Sequence, residues 1–286
     1  MADLNDVLRV LLESDRPFGE AVRIATGTTG LQQAKLTFQL AEAAFGASDP
    51  DTIATRIQFA RGLFVLGRFS EAEPLFRQTL EIDCAMLGES HPNYATHLNN
   101  LGLVVEAQGR YPEAEDLYRR ALAIDRATIG EGHPDYATHL NNHANVVKAQ
   151  GRYPEAEGLY RQALAIDRAT IGEGHPEYAV HLNNLALVVK TQGRYPEAEG
   201  LYRQALAIDR ATIGEGHPEY GIHLVNFGSC LVALGKPGEA RPLLEQALVI
   251  FRANLPADHP NIAGTLGHLA KLSADAPPLA PPAHPR

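Results

Sequence analysis

Hydrophobic and small residues at Tyr94, Leu98, Leu101, Gly102 and Val105 fall at i, i+4, i+7, i+8 and i+11, which is one face of a 3.6-residue helix. Gly109 ends that stretch. A second opens at Pro112, a residue tolerated in a first turn, and runs through Ala114, Leu117, Tyr118, Ala121, Leu122 and Ile129 to Gly130. The pattern predicts a helical hairpin. It then repeats: HPNYATHLNNLGLVVEAQGRYPEAEDLYRRALAIDRATIGEG, beginning at His91, returns almost unchanged at His133 and His175 and more loosely at His217, a period of 42 residues. A fixed period of this size marks stacked supersecondary units, so the expected fold is an all-α solenoid of antiparallel helix pairs.

The register also sets the organisation. Units are expected near 49–90, 91–132, 133–174, 175–216 and 217–258, forming an array over 49–258. Residues 1–48 keep traces of the period, with Phe38, Leu40, Phe45 and Gly46 aligning with Leu80, Ile82, Leu87 and Gly88, and read as a degenerate N-terminal helical cap. Residues 259–272 read as a C-terminal capping helix in which Ile262, Leu266 and Leu269 cover the last full unit, and 273–286 as a disordered, Pro-rich tail. Small residues at Gly102 and in the row Ala72, Ala114, Ala156, Ala198 and Ala240 let paired helices approach closely. Tyr118, Tyr160 and Tyr202 are expected to fill the gap to the next unit.

The arrangement Leu101-Gly102, Ala114, Tyr118 and Ala121 resembles a tetratricopeptide repeat. The 42-residue length, the Asn-Asn pair before Leu101 and the phrases QGRYPEAE and LYRRALAI resemble the kinesin-light-chain type, over roughly residues 49–272. No sustained heptad precedes the array, so the resemblance does not extend to a motor-binding coiled coil. It implies a right-handed superhelix that acts as a protein-interaction scaffold, with the first helix of each unit on the concave side.

On those first helices the positions left by the packing stripe are Thr96, Asn99, Asn100, Leu103, Glu106 and Ala107, themselves one helical face. Later units present Thr138, Asn141, Asn142, Asn145 and Lys148, then Val180, Asn183, Asn184, Leu187 and Lys190, then Ile222, Val225, Asn226, Ser229 and Val232. An Asn side chain offers an acceptor and two donors, so it can bond to a peptide backbone whatever its sequence. The row Asn100, Asn142, Asn184 and Asn226 matches the Asn row that contacts peptide backbone in kinesin light chains, and Gln58 breaks it in the first unit. The competing account is that the amides satisfy polar groups between adjacent helices; the second Asn of each pair is assigned here to ligand and the first to structure. Arg61, Lys148, Lys190 and Lys271 add positive charge opposed by Glu106, which favours an acidic or carboxylate-ended peptide, although lysines also serve simply to solvate an exposed face.

Composition narrows the partners. A net charge of -9 argues against nucleic acid, and no apolar run is long enough to span a membrane. The start is acidic rather than signal-like and the two cysteines, Cys84 and Cys230, suggest no disulfide framework, so a cytoplasmic location is expected. Of two histidine rows, His91, His133, His175, His217 and His259 precede prolines, and Asp49 takes that place before Pro50; the row is expected to start helices rather than bind metal. The other, His97, His139, His181 and His223, has no carboxylate at a recognisable metal-binding spacing. Glu73/Arg77, Glu115/Arg119, Glu157/Arg161 and Glu199/Arg203 read as i,i+4 pairs on an exposed helix, each worth about 0.2–0.5 kcal/mol. No phosphate loop, HExxH, GxSxG or dinucleotide-binding glycine pattern is present, and neither enzymatic activity nor a cofactor is expected. The alternative to a peptide-binding scaffold is a self-assembly module that stacks through its terminal units.

Overall fold

The periodic stretches become helices whose ends are set by identifiable residues. The computed structural model describes residues 30–274, and among them there are twelve helices and no strand. The chain divides into two compact units, Met1–Glu131 and Gly132–Arg286. In the first unit α1 (Gly30–Phe45), α2 (Pro50–Val65), α3 (Phe69–Met86), α4 (Pro92–Ala107) and α5 (Tyr111–Thr128) each pack on the next. In the second, α6 (Pro134–Ala149), α7 (Tyr153–Thr170), α8 (Pro176–Thr191), α9 (Tyr195–Thr212), α10 (Pro218–Ala233), α11 (Pro237–Asn254) and α12 (Pro260–Ala274) do the same, and the first helices α6, α8, α10 and α12 also touch in succession. Most of the expected N-terminal cap and nearly all of the Pro-rich tail lie outside the described residues.

Each first helix has a proline in its first turn, where no intrahelical N–H bond is lost. After α4 and α5 the chain reverses through Gly109 (φ 77°) and Gly130 (φ 86°), a left-handed conformation that glycine adopts without strain. Close helix approach is real: a Cβ on Gly102 would lie 2.7 Å from Cε1 of Tyr118. The alanine row is fully buried, and Tyr118, Tyr160 and Tyr202 are 0 % exposed. Tyr202 also reaches the next repeat, its ring centroid 6.0 Å from that of Phe227.

Two expectations about the surface need correction. Ile262 is buried and Leu269 packs on the core, but Leu266 is 41 % exposed, because it lies on the face of α12 that in the complete repeats meets a second helix. The Glu/Arg pairs are not simply exposed i,i+4 contacts. The side chains of Glu73 and Glu157 are only 16 % and 15 % exposed, and each is also held by the loop of the following repeat. Glu73 accepts from Arg77 at 2.7 Å, Arg110 at 2.8 Å and Gln108 at 2.9 Å, while Arg77 and Arg110 both reach Glu113. Glu157, Arg161, Gln192, Arg194 and Glu197 repeat the arrangement in the second unit. These networks tie consecutive repeats together, because the arginine of the QGR loop faces backward onto the preceding unit's glutamate.

Candidate functional site

The first-helix face is built differently in the two units. In the second unit Asn141 and Asn183 are buried, and each accepts from the following repeat: Asn184 Nδ2 donates to Asn141 Oδ1 at 3.0 Å, and Asn226 Nδ2 to Asn183 Oδ1 at 3.1 Å. Asn142 is buried beside them and accepts from Asn141 Nδ2 at 3.4 Å. Asn145 Oδ1 takes the Tyr160 hydroxyl at 2.6 Å and Lys148 Nζ at 3.1 Å. Lys190 is half-buried and donates to Ser229 Oγ at 2.7 Å; burial lowers its pKa, partly offset by Cys230. Asn184 and Asn226 remain partly exposed, and Lys271 is exposed.

At the C-terminal end of this face the amide bridge stops. Val225 and His268 occupy the two positions that Asn183 and Asn226 hold one junction earlier, and a cavity of about 170 Å³ opens there between α10 and α12. Ile222, Val225 and Phe251 give it apolar walls, and Asn226, Asn261, Thr265 and His268 polar ones. The imidazole of His268 is pushed below its ordinary pKa by burial, then by the charges of Lys271 and Lys190.

In the first unit the same face has no amide bridge at α2/α4. Asn100 is buried, but Ile57 stands where the second unit places Asn141, and Asn100 Nδ2 has no hydrogen-bond partner. Glu106 accepts the Tyr118 hydroxyl at 3.0 Å, and Arg61 lies exposed on α2. A cavity of about 320 Å³ opens at this junction, lined by Ile53, Ile57, Met86, Leu87, Asn93 and His97 among others.

Both histidine rows are structural. Nδ1 of His91, His133, His175, His217 and His259 accepts the N–H two residues on at 3.1–3.2 Å, and Asp49 Oδ1 does the same at 2.9 Å. The expected helix-start role is therefore observed. The second row does have carboxylate partners, which the sequence reading missed. His181 Nδ1 lies 2.5 Å from Asp167 Oδ2 and His223 Nδ1 2.5 Å from Asp209 Oδ2, all four nearly or fully buried, and His97 contacts Asp83 in the first unit. The constant offset of 14 residues was the available signal.

Among the described residues, no group of three or more His, Cys, Asp or Glu side chains is placed to hold a metal ion, and no helix is long and apolar enough to cross a membrane.

Comparison with known proteins agrees with this architecture. A tetratricopeptide-repeat model matches residues 84–127, 93–169, 135–211 and 179–253, and a second matches 52–93. No curated relative matches the chain. The crystal structure of BtubC (BKLC) from P. vanneervenii is 23 % identical, covers 90 % of this chain and 92 % of its own, and superposes with a TM-score of 0.59. A Podospora anserina kinesin-light-chain protein of nearly identical TPR-like repeats is 27 % identical, covers 72 % of this chain and 98 % of its own, with a TM-score of 0.57. Tetratricopeptide arrays are in general non-enzymatic scaffolds that bind other proteins. The chain belongs to the tetratricopeptide repeat family, and its repeats are of the kinesin-light-chain-like type.

Proposed function

We propose that the first-helix face is a protein-interaction surface for an extended, acidic peptide segment. The observation that carries this reading is the cavity between α10 and α12, where Asn226 and Asn261 supply amide groups to the lining and His268 feels the positive charges of Lys271 and Lys190. Asn184 and Asn226 are the amides best placed to reach ligand, since both are partly exposed and each still has an acceptor oxygen besides its bridging Nδ2. Asn142, Asn145 and Lys148, spent on internal contacts, would support the face from beneath, and Asn100 and Arg61 would act within the first unit. A reducing, cytoplasmic setting suits the two free thiols, Cys84 and Cys230.

Panning a random-peptide display library on the full chain tests the reading. Retained peptides should be enriched in Asp and Glu, and Lys190→Glu with Lys271→Glu should remove that enrichment while leaving helical content intact. Enrichment without acidic bias, or indifference to charge reversal, counts against it. Self-assembly is favoured by one separate observation, the 41 % exposure of Leu266 on α12. If this second reading holds, the chain should form concentration-dependent oligomers in light scattering that Leu266→Lys abolishes; a monomer at all concentrations excludes it.

A further inference from the structure

A cleft of about 410 Å³ opens where the second helices α3 and α5 part over α4, and none of its lining residues belongs to the first-helix face described above. The second unit has the same cleft between α7 and α9, smaller at about 250 Å³. The same nine repeat positions line both, offset by 84 residues, and six of the nine carry identical residues. The other three are all exceptions to the repeat on the first-unit side. Glu81 stands where Ala123, Ala165 and Ala207 recur, Cys84 where Arg126, Arg168 and Arg210 recur, and Arg120 where Gln162, Gln204 and Gln246 recur. One cleft thus collects all three departures.

The exchanges change size and charge together. In the second unit Arg168 reaches from α7 to the Tyr178 hydroxyl on α8 and donates to it at 3.2 Å. The short side chain of Cys84 leaves that path open, and the Tyr94 hydroxyl is held from the opposite wall instead, by Arg120 Nη2 at 3.2 Å. Arg120 keeps further N–H donors for a ligand. Arg77 also lines the cleft, but its charge is spent on Glu73 and Glu113. The charges left over are one carboxylate, Glu81, and one guanidinium, Arg120, both exposed. The floor is a seam of Leu80, Leu98, Leu101 and Leu117, each 1–8 % exposed, too narrow for the face of a partner helix but open to one apolar side chain. The volume falls within the ~300–1,000 Å³ range of ligand pockets.

An apolar floor beside one anionic and one cationic group calls for a ligand with an apolar body and both opposite charges. We propose that the α3/α5 cleft binds a free apolar α-amino acid, with its side chain on the leucine seam, its ammonium at Glu81 and its carboxylate at Arg120. The planar fork of a guanidinium matches a carboxylate, and the bond to Tyr94 holds Arg120 in place beforehand. The second-unit cleft is an internal control: Ala165 and Gln204 replace both charges, and Arg168 takes up the space. Binding here is independent of peptide capture on the first-helix face.

The test titrates L-leucine into the full chain and follows the methyl signals of Leu80, Leu98, Leu101 and Leu117 by NMR. Saturable shifts are expected there, and none at the equivalent Leu164, Leu182, Leu185 and Leu201. Binding should weaken several-fold in Glu81→Ala and in Arg120→Gln and about tenfold in Cys84→Arg, each of which installs the residue that the second-unit cleft carries. Leucinamide, which lacks the carboxylate, should respond to Glu81→Ala but not to Arg120→Gln; 4-methylpentanoate, which lacks the ammonium, should show the reverse. Glycine should leave the signals in place. Absence of saturable shifts, indifference to all three substitutions, or equal shifts in both clefts overturns the proposal. Leucinamide binding as tightly as leucine also overturns it, and would assign the cleft to the first residue of a peptide chain instead.

Discussion

At one repeat position the two units make opposite choices. The second unit places Asn141 and Asn183 opposite Asn184 and Asn226 and closes its α6/α8 and α8/α10 junctions with amide bridges of 3.0 and 3.1 Å. The first unit places Ile57 opposite Asn100, and the junction stays open with a buried donor unused. An identical residue, Asn, is therefore a hydrogen-bonded link in one context and a buried, unpaired donor in the other. What decides is the residue 43 positions earlier, not the Asn itself. Within this array the consensus Asn pairs hold neighbouring first helices together, and a departure from the consensus at one partner leaves the other without its bond.

The largest test of this contrast uses the buried His–Asp pairs. His181→Ala strands the Asp167 carboxylate, which is 1 % exposed, and should cost about 3–5 kcal/mol in urea unfolding. His97→Ala should cost clearly less, since Asp83 and His97 line the open α2/α4 cavity and water can replace the imidazole. Equal losses would mean that the cavity does not admit solvent. The next effect in size concerns the amides. Asn141→Ala removes the acceptor of Asn184 and should destabilise by about 1–3 kcal/mol, whereas Asn100→Ala removes a donor that already lacks a partner and should be nearly neutral. Ile57→Asn should supply the missing acceptor and gain about 0.5–1.5 kcal/mol. A loss on that substitution would show that the apolar contacts of Ile57 outweigh the bridge.

The repeat, its two helices and their boundaries were legible from the sequence, because hydrophobic period, proline and glycine all act locally. The cap role of His91 and its equivalents was legible for the same reason: Asp49 in the same row betrays the shared geometry. The contacts that were misjudged all cross between helices. The partner of His97 is Asp83, in a different helix, and the partner of Glu73 is Arg110 in the loop after α4. The Asn rows were visible, but the direction of each amide was not, since a helical face predicts where a side chain starts and leaves open whether it turns outward or back to the preceding repeat. Lys148 and Lys190 illustrate the same limit: both sit in the expected rows, yet bend to Asn145 and Ser229.

A smaller effect separates capping from packing. His175→Ala removes an N-cap acceptor and should cost about 1 kcal/mol, while His175→Asp, which copies the chain's own Asp49, should be close to neutral by thermal unfolding. If the two variants were equally destabilised, the imidazole would owe its place to packing, and the row would no longer be a helix-start device.

The smallest expected effect lies in the charge networks that both units share. Burial works to raise the pKa of Glu73, but hydrogen bonds from Gln108, Arg110 and Arg77 outweigh it and hold the carboxyl at about 2. Glu157 is displaced in the same direction, with burial opposed by Arg161, Arg194 and Gln192. An unfolded glutamate titrates near ~4.3, so below that pH the unfolded chain binds protons that the folded chain still refuses. The stabilisation from Glu73 is therefore complete above about pH 4.3 and is lost as pH falls toward about 2. Arg77 and Arg110 are 43 % and 40 % exposed, so solvent and salt screen the network and keep the effect modest. Glu73→Gln should flatten the fall of the urea midpoint between pH 4.3 and 2, and 0.5 M salt should flatten it further in the parent chain. A midpoint that falls equally steeply in both proteins would mean that the network orders side chains without linking the repeats energetically.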